Sequence, residues 1–208
     1  MDPKLTFSFF IAAFLLALMP GPDNLLVLTE SITKGKRNGI ALSSGLSSGV
    51  IIHTLAIMTG LSLILQNSAI AFQAVKYLGA AYLFYLAAMT LMEEQQQLNF
   101  EEQQNDQYNF WKLYRQGFLM NVLNPKVTLF FIALLPQFVS SEGFSPSLQL
   151  FILGIIFMLT ALITFSLIAI LADKLRLILN KEGFWKWTKY SKVVVLIGLA
   201  ILILLSEK

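Results

Sequence analysis

Two charged residues stand in otherwise apolar surroundings. Asp23 follows Pro20, Gly21 and Pro22 in the segment PGPDNLLVL, and Lys126 follows Pro125 in LNPKVTLFF. A charge at the centre of a membrane helix costs roughly 2.5–3.5 kcal/mol on insertion scales, so a chain that keeps one gives it a partner or a task. If both face one cavity, Asp23 can accept a proton or an ammonium group and Lys126 can meet a carboxylate. If either lies near an interface, its side chain snorkels to water instead.

The neighbours of these charges are polar in a particular way. Pro20 and Pro22 remove two backbone donors within an apolar segment, so the helix must kink or break there. Carbonyls freed by a break cannot face lipid and are tolerated only against protein or a polar hollow. Asp23 and Asn24 follow directly, which points to a substrate or ion site; a packing kink is the plainer reading. Asn121, Asn124 and Thr128 recur at helical spacing beside Pro125, where neutral amides and hydroxyls either hold helices together or orient a zwitterion. Ala41, Gly45, Gly49 and His53 share one helix face. Small residues there let two backbones approach, and His53 is a hydrogen-bonded helix contact or a proton relay. Lys76 reads as a snorkelling residue at the outer face, and Glu30 as part of a solvated rim.

Other chemistries find no residues. There are no cysteines and a single histidine, which removes disulfides, thiolate catalysis and the usual transition-metal sites. No Walker-type phosphate loop occurs, and no cofactor is implied. An intramembrane enzyme would need paired carboxylates, a histidine cluster or a Ser-Lys pair in register, and none is found. A non-transporting membrane scaffold would need no such features and stays open as the alternative.

The elements that must position these groups are set by composition. With 56% hydrophobic and 13% charged residues and a mean hydropathy of +0.69, the 208-residue chain lacks the charge that a water-facing surface requires. Long uncharged runs at 5–22, 39–75, 77–92, 127–141, 143–172 and 193–206 approach or exceed the ~20 residues that cross a bilayer. We expect an all-α membrane protein of six transmembrane helices at about 5–28, 39–65, 68–92, 117–138, 148–171 and 187–205, forming one integral membrane domain over 1–208. The run at 39–75 is too long for one crossing, and Gln66, Asn67 and Ser68 mark the turn within it. The opening residues have signal-peptide length but no small-x-small cleavage site, and are read as a retained helix. Trp185, Trp187 and Tyr190 with Lys186, Lys189 and Lys192 read as an aromatic belt with snorkelling lysines that carries the last helix through the headgroups.

The Gln- and Glu-rich stretch 93–115 is too polar to build a core and reads as a cytoplasmic loop. Cations cluster after spans one (Lys34, Lys36, Arg37), three (Lys112, Arg115) and five (Lys174, Arg176, Lys181, Lys186, Lys189, Lys192), whereas the loops after spans two and four hold none. The positive-inside rule then places the odd loops in the cytoplasm and both termini outside. Cations so placed orient a chain in lipid and do not suggest nucleic acid. PGPDNLLVL and LNPKVTLFF align, pairing Pro22 with Pro125 and Asp23 with Lys126, and each opens a three-span half, at about 4–92 and 116–205. Because three is odd, the halves must be mounted in opposite senses, as in inverted-repeat transporters.

MPGPDNLLVL, KGKRNGIALSSGLSSG, VKYLGAAYLFYLAA and GFLMNVLNPKVTLFFIALLPQF, in this order over about 4–140, resemble the LysE/RhtB family of amino-acid exporters; the last two spans match mainly in hydropathy. The resemblance implies a six-span bacterial plasma-membrane protein, a homodimer, that expels amino acids such as lysine, arginine, threonine, homoserine or leucine, driven by protons. The family's Pro-Gly-Pro region falls on Pro20, Gly21 and Pro22, and its Asn-Pro-Lys region on Asn124, Pro125 and Lys126. The long acidic loop and Asp23, where the family often has a neutral residue, are departures that leave the charge of the substrate open.

Overall fold

The computed structural model describes residues 1–19, 21–67, 69–92, 108–140, 143–172, 174 and 182–205, and these are helical almost throughout. The helices are α1 (Pro3–Leu18), α2 (Pro22–Lys34), α3 (Lys36–Asn67), α4 (Ala69–Met92), α5 (Phe110–Val122), α6 (Pro125–Leu134), α7 (Pro146–Ile170) and α8 (Glu182–Leu205), with one 3-10 turn at Leu135–Phe138. Helix starts use local capping. Asp2 accepts from the Lys4 amide ahead of Pro3, Asn109 from Lys112, and Ser145 from Leu148 ahead of Pro146. Gly35, at φ +91°, makes the turn from α2 into α3, a conformation that side chains with a Cβ rarely adopt.

Four stretches cross a membrane by length and apolarity: Lys36–Thr59, Gln73–Met92, Pro146–Ile170 and Trp185–Leu205. Two further crossings exist if each bent pair counts as one span, Pro3–Leu18 with Pro22–Lys34 and Phe110–Val122 with Val127–Phe138, both bent by 56°. α1 alone, with 16 residues, reaches only about 24 Å, short of the ~30 Å hydrocarbon core. Large apolar side chains face outward on every one of these elements, including Phe7, Leu78, Leu119, Ile163 and Val194. A water-soluble monomer does not carry such a surface.

α3 is the centre of the bundle and packs against α5, α7 and α2, while α4 lies along α8 and touches α6, and α1 packs on α7. The α3–α5 contact depends on missing side chains. A Cβ on Gly45 would collide with the Tyr114 carbonyl, and one on Gly117 would collide with the Leu42 carbonyl. The two backbones therefore touch directly at Gly45 and Gly117. A second core gathers Phe9, Phe131, Phe138, Leu150 and Leu153, with Phe9 edge-on to Phe138 at 5.2 Å.

Three expectations change. α5 begins at Phe110, before the expected start of the fourth span, because Asn109 caps it and Phe110, Trp111, Tyr114 and Phe118 stack along it. Asn121, Asn124 and Thr128 do not form a stripe on one helix, since α5 ends at Val122 and α6 starts at Pro125. Lys76 does not snorkel into lipid; it is buried, in register with Ala80, Leu83, Ala87 and Thr90 on the inner face of α4. Glu30 is tied into the last turn of α2 by Lys34 at 3.2 Å.

Candidate functional site

Both breaks are closed by side chains, each by different means. Between α1 and α2 the chain is extended at Met19 and Gly21. The Ala17 carbonyl, which has lost its helical donor, accepts instead from Asn24 Nδ2 at 2.9 Å. Asn24 is buried, so this bond replaces water that lipid cannot supply. Pro22 occupies the first position of α2, where a missing N–H costs nothing and φ is already helical.

The second break is held from across the bundle. His53, on α3 and 4% exposed, places Nε2 3.0 Å from the Asn121 backbone oxygen and Nδ1 3.1 Å from Thr128 Oγ1. A carbonyl only accepts, so Nε2 carries the proton, and in the neutral ring Nδ1 then accepts from the Thr128 hydroxyl. One imidazole thus joins the end of α5 to the first turn of α6. Of the two roles expected for His53, the hydrogen-bonded helix contact is the one the geometry displays. Gly49 sits one turn earlier, and a Cβ there would come within 2.8 Å of Asn121 Cβ and Oδ1. The glycine therefore leaves the space that Asn121 fills. Asn121 Oδ1 is buried without a hydrogen-bond partner among the described residues.

The two breaks meet in one cavity of about 140 Å³. A single water needs roughly 10–15 Å³ in the same measure, so a small metabolite fits. Gly21, Pro22, Asp23 and Asn24 border it from the first break, and Asn121 and Asn124 from the second. The rest of the wall is mainly apolar, with Phe130 and Phe131 on α6 and Phe157 and Phe165 on α7. Phe131 meets Phe157 edge-on at 4.8 Å.

Of the residues expected at a site, Gly21, Pro22, Asp23, Asn24, Asn121 and Asn124 are brought together, and Thr128 reaches the same region through His53. Pro20 and the side chains of Pro125 and Lys126 lie outside the described residues, and with them the expected pairing of Asp23 with Lys126. So does the stretch 93–107.

Lys192 corrects the expectation of a snorkelling lysine. It is 7% exposed and borders the cavity. Its place in α8 explains this, because Lys192, Leu196, Leu199, Ala200 and Ile203 form the buried stripe of that helix. A lysine in register with such a stripe points inward whatever aromatic residues precede it, and that register is the signal in the sequence that identifies it. The phenylalanine wall was likewise not expected, although Phe157, Ala161 and Phe165 stand one turn apart and could have been read as a face.

The family model described as LysE type translocator matches residues 14–207. An uncharacterized membrane protein of Bacillus subtilis, YrhP, is 30% identical over 197 residues, covering 91% of this chain and 93% of that protein. The uncharacterized membrane protein PA4757 of Pseudomonas aeruginosa is 31% identical over 162 residues, 76% of this chain and 75% of its own. A homoserine/homoserine lactone efflux protein of Salmonella typhimurium is 29% identical over 181 residues, 81% of each chain. No solved structure matches.

Proposed function

Because the chain belongs to the LysE type translocator family, we propose that it is a secondary exporter of amino acids or related small zwitterionic metabolites across the bacterial plasma membrane, coupled to protons. The observation that carries this reading is the convergence of two helix breaks on one cavity, with Asp23 and Asn24 from one and Asn121 and Asn124 from the other. Half-helix starts at such a hollow favour a carboxylate, and freed carbonyls and amides suit an ammonium group. Outward transport takes its support from the efflux protein of Salmonella typhimurium, to which the chain is similar.

In this reading the bent pairs are single spans, which makes six crossings in two inverted halves. The packing supports the repeat. α3 with α5 corresponds to α7 with α1, α2 with α7 corresponds to α6 with α3, and α3 with α7 and α4 with α8 pair across the halves. α4 and α8 each have 24 residues, and their buried positions run in step: Ala80 with Val193, Leu83 with Leu196, Leu86 with Leu199 and Ala87 with Ala200. The odd loops face the cytoplasm, both termini lie outside, and two copies associate as a dimer.

The test is efflux of labelled amino acids from loaded cells, and from proteoliposomes of the purified chain, with and without a protonophore. The expected result is carrier-dependent efflux that the protonophore abolishes in energised cells. If no amino acid moves above empty liposomes, the exporter reading is wrong.

A further inference from the structure

From the unequal seams of the two halves we infer that α1 is the moving part of the exporter, sliding on α7, while α3, α5 and α6 stay joined as a frame; this rests on the inverted-repeat exporter reading. The halves can be compared position by position. A Cβ on Gly39 would meet Ala169, and one on Gly154 would meet Thr54, so exchanging the halves turns the first contact into the second at one fixed offset. At that offset Leu46 and Val50 fall on Ala161 and Phe165, and all four line the cavity. Along α1 the buried Phe9, Ala13 and Ala17 run in step with Leu113, Gly117 and Asn121 of α5. The cavity thus sits between equivalent surfaces, and α1 on α7 is the counterpart of α5 on α3.

What joins each pair differs. α5 is tied to α3 by backbone contact at Gly45 and Gly117, by the Ser48 and Tyr114 hydroxyls at 2.8 Å, and by His53, which also reaches α6. On the other side Thr160 and Thr164 stand at the places of Gly45 and Gly49, Ala13 at that of Gly117 and Ile168 at that of His53. Side chains hold those two backbones apart, and an isoleucine has no hydrogen to donate. Among the described residues no hydrogen bond runs from α1 to α7, and the bond that α1 makes with another helix is the one Ala17 accepts from Asn24. The buried face of α1 is Phe9, Ala12, Ala13 and Ala17, which slides over a neighbour without loss of a directional bond.

Thr164 identifies where the sliding helix goes. Its hydroxyl is buried without a hydrogen-bond partner among the described residues, although Thr160, a turn earlier, donates to the Ile156 carbonyl. A buried donor left so is unfavourable. Gly49 faces Asn121, so by the same correspondence Thr164 faces Ala17, near the end of α1 at Leu18. The last carbonyls of a helix lack helical donors, and they are the acceptors that a second setting of α1 brings to Thr164.

The chain has no cysteines, so introduced ones can be labelled or bridged without background. Spin labels go on exposed, equivalent positions: Leu15→Cys with Leu167→Cys across α1 and α7, and Leu119→Cys with Ile52→Cys across α5 and α3. Distances are read by double electron-electron resonance in nanodiscs, with and without a mixture of the common amino acids. The first pair is expected to show two distances differing by about 5 Å, one helical turn, in proportions that the mixture changes, and the second pair a single distance. One unmoving distance across α1 and α7, or an equal shift across α5 and α3, overturns the inference. Transport is read as counterflow of the same mixture, labelled, in proteoliposomes of the full chain. Phe9→Cys is bridged to Phe157→Cys, where the native rings lie 6.4 Å apart, by a short bismethanethiosulfonate. This is expected to cut counterflow at least tenfold until a reductant restores it, whereas bridging Ser48→Cys to Tyr114→Cys leaves most of it. Equal effects of the two bridges overturn the inference. Thr164→Val is expected to melt no lower than the native chain yet to transport several-fold more slowly; native-like transport overturns its role. No counterflow by the native chain overturns the exporter reading, and the resonance distances then decide the motion of α1 alone.

Discussion

Replacing Gly49 with alanine is expected to injure the site without replacing any charged or polar group. The added Cβ would stand 2.8 Å from both Cβ and Oδ1 of Asn121, against an ordinary limit of 3.4 Å. Asn121 must therefore move by about 0.6 Å, or α3 and α5 must part by as much. Parting is resisted one turn away, where Gly45 and Gly117 already hold the two backbones in contact. Overpacking of this kind costs about 1–3 kcal/mol, and the better helix propensity of alanine returns roughly 0.5–1 kcal/mol. The net loss is about 0–2.5 kcal/mol, with a midpoint of about 1 kcal/mol, read as a fall of a few degrees in the melting temperature of the purified protein. Asn121 also receives His53 through its backbone oxygen at 3.0 Å, so the shift propagates to the α5–α6 break. A displacement approaching 1 Å in a binding group can reduce rates by up to a hundredfold, and we expect about a tenfold loss of efflux. The control is Gly198→Ala, which has nothing within 4 Å of the new Cβ and should melt and transport at least as well as the native chain. If Gly49→Ala and Gly198→Ala behave alike in both assays, the close approach of α3 to Asn121 is not what shapes the site.

Asn24→Leu strands the Ala17 carbonyl and should destabilise the protein by about 1–3 kcal/mol in thermal unfolding in detergent, and Asn24→Asp, which loses the donor, should not recover it. His53→Phe keeps the ring packing beside Phe131 but removes both bonds across the second break; a comparable loss of stability with at least tenfold weaker efflux is expected, and native-like melting would remove the bridging role. If Asp23 is the proton acceptor of the cycle, Asp23→Asn retains amino-acid counterflow while losing acceleration by an imposed proton gradient, measured in the same liposomes.

The helical class, four of the crossings and both breaks could be read from the sequence, because hydropathy runs and proline chemistry are local signals. Gly45 and Gly49 could be placed on one face of a helix for the same reason, since their spacing alone puts them there. What closes the breaks was less accessible. Asn24 reaches back to Ala17 and so depends on how far the chain bends, and His53 reaches Asn121 and Thr128 only because α3 lies against α5. Lys192 was misread because aromatic and basic neighbours marked it as interfacial, while the buried register that governs it continues on the other side, through Leu196 and Ala200. The cavity wall joins α6 to α7, and no local pattern says that those two faces meet.

The two breaks differ in where their support originates, and this bears on how the chain is made. The bend after Leu18 is completed by Asn24, six residues on, so the ribosome delivers both parts almost together. The bend at Asn124 is bridged by His53, which stands 68 residues before Asn121 in the chain and is therefore synthesised first. A circularly permuted chain that emerges with residues 108–205 first would expose an unstapled bend to lipid until the other part arrived. In the native order the clasp is synthesised before the segment it holds.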